Sequence, residues 1–170
     1  MMGNKIRDFF DYICNFEYGW QDKYGNMHER IDKSYYDTFV FRSVFDVKKS
    51  NVGVCWEIVE IEREFFNNND INHKIIFVLY NDIGYHSHTF SVYEYMGKYY
   101  WFEAVLKDYK GIYEFNSLNE LLDNVKDNFK YIKLSEKYDK NKIEFYEYEK
   151  PLDISSCQDF YDYCMKSKRL

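Results

Sequence analysis

The stretch His88-Thr89-Phe90-Ser91-Val92-Tyr93-Glu94-Tyr95-Met96-Gly97-Lys98-Tyr99-Tyr100-Trp101-Phe102-Glu103 decides the fold. Its two halves are rich in aromatic and β-branched residues, and Met96-Gly97 separates them, which predicts a β-hairpin with strands His88 to Tyr95 and Lys98 to Val105. With Tyr95 paired to Lys98, Phe90 lies opposite Glu103 and His88 opposite Val105. Side chains alternate along a strand, so His88, Phe90 and Glu103 share one face. His88 and Glu103 are then diagonal neighbours, about 7–8 Å apart at Cα, a span that long side chains bridge. A four-residue loop, Glu94 to Gly97, would make them direct partners, and an odd-length loop would separate them. Glu103 is the one charged residue in Tyr99-Tyr100-Trp101-Phe102-Glu103-Ala104-Val105. A carboxylate in an apolar strand costs free energy unless it has a partner, and His88 is the partner the hairpin supplies.

Upstream, Asn51-Val52-Gly53-Val54-Cys55-Trp56 leads into a run with helical periodicity from Cys55 to Phe66. Ile58, Ile61 and Phe65 fall on one face, with Glu57, Glu60, Glu62, Arg63 and Glu64 on the rest. Cys55 therefore opens a buried amphipathic helix, where unpaired N–H groups and partial positive charge favour a thiolate. Glu57 and Glu60 oppose that charge. Position alone favours a small packing residue at the start of a helix.

Lys74 to Tyr80, with its Ile-Ile-Phe-Val-Leu core, reads as a central strand. Gly111 to Phe115 and Lys142 to Tyr148 add further strands. Helices are predicted over Asn4 to about Phe16, Ser117 to about Lys133 and about Ser156 to Met165. The first buries Ile6, Phe9, Phe10 and Ile13. The second has Ser117 as N-cap, Glu120 closing a capping box, and Leu118, Leu121, Leu122, Val125 and Phe129 as its apolar face. Tyr24-Gly25-Asn26 marks a tight turn. Tyr35 to Val47 has no clean period and fits helix or strand. No repeat or linker interrupts the chain, so residues 1–170 are expected to form a single domain of the α+β class.

Composition narrows the partners. The net charge of −6 repels phosphate backbones, which argues against nucleic acid. No segment reaches the roughly 20 apolar residues of a membrane span, and Met1 to Phe16 lacks the features of a secretory signal. A cytoplasmic location and no membrane partner are expected. The four cysteines, Cys14, Cys55, Cys157 and Cys164, form no CxxC pair. Cys157 and Cys164 are separated by two helical turns, about 10 Å, too far for a disulfide. Unpaired cysteines fit a reducing compartment. His86 and His88 have an HxH metal-ligand spacing. With Glu94 and Gly97 they approach a cupin motif, but Glu94 is one residue out of register and no further His follows. No metal or cofactor is expected. His86 serves better as a cleft or strand-end residue, and His28 and His73 lie in polar, solvated stretches.

A helix-start Cys, a strand His and an adjacent-strand acid thus occur in that order. The elements Gly53-Val54-Cys55-Trp56, His88-Thr89-Phe90 with Tyr93-Glu94, Tyr100-Trp101-Phe102-Glu103 and Gly111-Ile112-Tyr113-Glu114-Phe115 resemble bacterial transglutaminase-like cysteine peptidase domains of the papain-like superfamily. Tyr18-Gly19-Trp20, followed by Asp22-Lys23 and Gly25, is similar to their lead-in, and the likeness extends to about Phe129. It implies a core helix carrying the Cys, packed on an antiparallel sheet that carries His and acid. It also implies Cys55 as nucleophile, His88 as general base and acid, and Glu103 as the residue orienting the imidazole. The Cys55 N–H would be an oxyanion donor, and Trp56 would support the helix start against the sheet. Ala104 stands where such domains often carry His or another polar residue, which leaves Asp108 and Asp82 open as the orienting acid. The implied activity is acyl transfer on a peptide or protein amide through a thioester. Two alternatives stand beside it: an inactive binding module on the same fold, and a metal enzyme built on His86 and His88.

Overall fold

Residues 2–82, 84–128 and 139–170 are described by a computed structural model. In chain order the elements begin with α1 (Met2–Ile13), β1 (Glu17–Tyr18), β2 (Trp20–Gln21), β3 (Met27–His28), α2 (Tyr35–Thr38), α3 (Val44–Ser50), β4 (Val52–Gly53) and α4 (Cys55–Asn68). The hairpin region follows as β5 (His73–Asp82), β6 (Gly84–Tyr95), β7 (Lys98–Glu103) and β8 (Gly111–Phe115). The chain closes with α5 (Leu118–Asn128), β9 (Ile143–Glu147), α6 (Cys157–Met165) and β10 (Lys168–Arg169). The architecture is α+β. Its main sheet has the order β10-β9-β5-β6-β7-β8, with every pairing antiparallel.

The β6–β7 hairpin has the register expected of a two-residue loop, with Tyr95 opposite Lys98. Met96 and Gly97 both take positive φ, 52° and 74°, as a type I′ turn requires, and its twist matches that of the flanking strands. β5 lies between β6 and β9 and is covered on both faces, which explains its unbroken apolar run. Ile75, Phe77 and Leu79 pack with α4 and α6. Ile76, Val78 and Tyr80 pack with Phe90, Val92, Trp101 and the Leu121, Leu122 and Val125 stripe of α5.

The undecided stretch Tyr35 to Val47 contains two short helices, α2 and most of α3, separated by an extended passage. That explains its lack of a single period. The predicted extension of α5 to Lys133, with Phe129, falls on residues outside those described. The N-cap of α5 is half of what was expected. Ser117 Oγ accepts the Glu120 N–H at 3.2 Å, but the Glu120 carboxylate turns to the Asn116 N–H at 2.9 Å. His28 is not solvated as expected. Its ring stacks on Trp20 with centroids 4.0 Å apart, and its Nε2 lies 3.1 Å from Asp22 Oδ2. His73 is half-buried beside Phe66.

The largest departure concerns α4. The sequence assigns its charged residues to an outer face, yet Glu57, Glu62 and Arg63 are buried. The helix is surrounded by α1, α3, α6 and the sheet, so even its polar positions are covered, and each takes an internal partner. Arg63 lies 3.1 Å from Glu60, donates to the Tyr148 carbonyl at 3.3 Å and sits over the Tyr148 ring.

Candidate active site

Cys55 is the first residue of α4. Val54 before it is extended, with φ −88° and ψ 168°, and Gly53 before that forms β4 beside β1. A Cβ at Gly53 would come 3.0 Å from both Ile58 Cδ1 and Val47 Cγ1, so a side chain there would need those neighbours to give by a few tenths of an ångström. The first N–H groups of a helix have no acceptor within it. At this end Glu57 Oε2 turns back to accept the Val54 N–H at 3.3 Å. The Glu57 carboxylate does not confront Cys55 as an isolated charge. Arg42 grips it with Nε on Oε1 at 2.9 Å and Nη2 on Oε2 at 2.6 Å. The Arg42 guanidinium also donates to the Val52 carbonyl at 2.6 Å and to Ser50 Oγ at 3.1 Å, tying α3, β4 and α4 together. Burial pushes the Glu57 carboxyl upward and the Arg42 contacts pull against it.

His88 is buried in β6, and its Nε2 donates to Glu103 Oε2 at 2.8 Å. The other Glu103 oxygen, Oε1, accepts the N–H groups of Val105 and Leu106 at 2.9 Å each. The carboxylate is thus held by the turn that follows its own strand. Asp108, the alternative acid, is exposed in the following turn, and the side chain of Asp82 lies outside those described.

The Cys55 thiol lies near enough to the His88 ring to act on its charge. Nε2 serves Glu103, so Nδ1 is the ring nitrogen a thiol would use. Simple alternation does not place His88 on the α4 face of the sheet. Ser87 and Ser91 face α6 and α4, where they bond Tyr161 and Glu62, so His88 starts on the opposite side with Phe90. The β6–β7 pairing ends at Ser91 and Phe102. Among the described residues no paired strand runs beside His88 on that edge. Burial opposes a charge on His88, but the Glu103 carboxylate, the Cys55 thiol and the bond to Glu103 outweigh it and push His88 up to about 10.

Tyr35 and Tyr161 pack in the same buried cluster as the thiol. Tyr18, Tyr35 and Tyr161 have phenols pushed upward, first by burial and further by the Cys55 charge among other groups. They remain neutral donors near neutral pH. Burial pushes the thiols of Cys14 and Cys164 up and that of Cys157 to about 12. Trp56 is 3% exposed and stacks on Phe160 at 4.2 Å, so it joins α4 to α6 and offers no surface to a cleft. His86 is half-buried in β6, and among the described residues no cluster of three His, Cys, Asp or Glu side chains has a metal-holding arrangement.

Sequence reasoning missed Arg42, which lies in the stretch without a period. A glutamate at the third position of α4 was the available signal. It also missed Glu62, fully buried on α4 and accepting from Ser91 Oγ. Burial holds this carboxyl well above its usual range, with the nearby Glu103 adding to the effect. A group whose folded pKa is raised contributes stability that is complete below its unfolded value, near 4.3–4.5, and is lost as pH rises through the folded pKa. Glu62→Gln is therefore expected to remove part of the loss of stability above pH 5, measured by urea unfolding at pH 5 and pH 8. A pH profile unchanged by the substitution would refute a protonated Glu62.

Among the described residues no helix is long and apolar enough to cross a membrane. No protein-family model matches the chain, and no curated protein sequence matches it significantly.

Proposed function

We propose that this chain is a thiol-dependent acyl-transfer enzyme, a cysteine peptidase or deamidase acting on a peptide or protein amide, of the transglutaminase-like type within the papain-like superfamily. One observation carries the reading: a buried imidazole bonded to a carboxylate at 2.8 Å, with a thiol at the start of a core helix near enough to act on its charge. The order of the motifs along the chain and the packing of the Cys helix on an antiparallel sheet support it.

On this reading the thiol proton rests on His88, and the thiolate of Cys55 attacks the amide carbonyl. The Cys55 N–H stabilises the oxyanion. His88 then returns its proton to the leaving amine or ammonia, leaving a thioester. It next takes a proton from water, whose hydroxide attacks the thioester carbonyl and releases the acid, and the sulfur regains the proton through His88. Glu103 holds the ring in the tautomer and orientation this relay needs. The residues in these roles require no metal or cofactor for any step.

The test is selective alkylation. At pH 6.5 iodoacetamide should modify Cys55 ahead of Cys14, Cys157 and Cys164, as located by peptide mass mapping. His88→Ala should remove that selectivity. If all four thiols react only above pH 8, the enzyme reading fails and the inactive binding module takes its place.

A further inference from the structure

Between the end of α1, the approach to α4 and the chain leaving β7 the structure holds a cavity of about 310 Å³ that the relay does not use. Its floor is apolar and contains Ile13 and Phe16 from the end of α1, Ile58 from α4, and Ala104 and Val105 from the chain leaving β7. Gly53 borders it, two residues before Cys55, which in extended chain is about 7 Å at Cα. Val105 borders it on the other side, and its N–H is bonded to Glu103. The cavity therefore opens between the two chain segments that carry the thiol and the acid.

Lys107, Lys110 and Glu17 supply its charges, a balance of one positive. The Lys110 ammonium donates to the Cys14 carbonyl at 2.8 Å, which fixes it at the wall and leaves two of its three donors without an acceptor among the described residues. Lys107 is exposed and makes no ion pair among the described residues. In a chain of net charge −6, two cations over an apolar floor form a local reversal of sign. Apolar walls with a few placed polar groups are the usual form of a small-ligand site, and this volume is at the lower end of that range, near 300 Å³.

The geometry points to a substrate subsite for an aliphatic group ending in a carboxylate, with the stem on Ile13, Ile58 and Val105 and the carboxylate against Lys107 and Lys110. Its role as a subsite rests on the proposed acyl-transfer function, but its binding chemistry does not. Two sources supply this group: a glutamate side chain, or the free C-terminus of a peptide ending in an aliphatic residue.

The test measures binding to the Cys55→Ala protein, where chemistry plays no part. N-acetylglutamate α-methylamide represents the side chain and N-acetylleucine the C-terminus, with N-acetylglutamine methylamide and N-acetylleucine amide as uncharged controls. Methyl NMR shifts of Ile13 and Ile58 report the cavity. One of the acids should bind about two- to fivefold tighter than its uncharged control, the size expected of exposed charge pairs, and the acid that does so identifies the source. Lys107→Glu, an exposed change that leaves Lys110 in place, should erase the preference without moving distant resonances. Equal affinity of acid and control, or no shift at Ile13 and Ile58, overturns the subsite. In the unsubstituted protein the bound acid should also slow alkylation of Cys55. A thiol that fails to react selectively there counts against the enzyme reading, while the Cys55→Ala titration still decides the cavity.

Discussion

His88→Ala is expected to slow acylation of Cys55 by p-nitrophenyl acetate at pH 7 by about two to four orders of magnitude, the range of a lost general base in a nucleophile–base pair. Cys55→Ala should remove the stoichiometric burst of p-nitrophenol altogether. Glu103→Gln separates charge from contact, because the amide can still hydrogen-bond His88 but no longer favours its protonation. His88 is held up to about 10, chiefly against burial and by Glu103. A raised folded pKa gives stability that is complete below the unfolded value, about 6.5, and is lost as pH rises through about 10. Glu103→Gln should therefore flatten the decline in stability between those two values and move the loss of thiol reactivity at high pH to lower pH. A burst that survives His88→Ala at an unchanged rate would refute the pair.

Arg42→Ala should produce the largest loss of stability away from the thiol. The Arg42 and Glu57 side chains are 5% and 0% exposed, and the guanidinium meets the carboxylate through two bonds. Removing one partner of a buried pair leaves the other charge uncompensated, at a cost of about 3–5 kcal/mol. The Val52 carbonyl and the Val54 approach to α4 would lose their anchor as well. Urea unfolding should show this fall, and adding Glu57→Gln to Arg42→Ala should restore part of it, since the stranded charge is then gone. A loss below about 1 kcal/mol would mean that water reaches Glu57 and the pair behaves as an exposed one. The two substitutions also separate roles. His88→Ala should change reactivity with little effect on the sheet, whereas Arg42→Ala should loosen the helix start and lower reactivity through position.

At α4 local pattern is a good guide to position and a poor one to burial. Periodicity located the helix and placed Cys55 at its first turn, because a 3.6-residue repeat is a local property. It misplaced Glu57, Glu62 and Arg63, because which faces are covered depends on α1, α3 and α6, all distant in the chain. Arg42 was invisible for the same reason: it lies 15 residues from Glu57 in a stretch without a repeat. Trp56 was expected to brace the helix against the sheet, and its stacking on Phe160 depends on a helix more than 100 residues later.

At the hairpin the sequence by itself determined most of the result. Met96-Gly97 sets a two-residue turn, the turn sets the register, and the register makes His88 and Glu103 diagonal neighbours. Each step depends on residues within 16 positions of one another, so local chemistry suffices. Long-range packing alone brings Cys55 near the same imidazole. Alternation starts His88 on the sheet face away from Ser91 and α4, and β7 stops at Glu103 while β6 continues past it. Where one strand ends beside its neighbour is set by how the Val105–Lys110 chain packs on α1, with Lys110 bonded to the Cys14 carbonyl. That is a balance of distant contacts that no local pattern encodes.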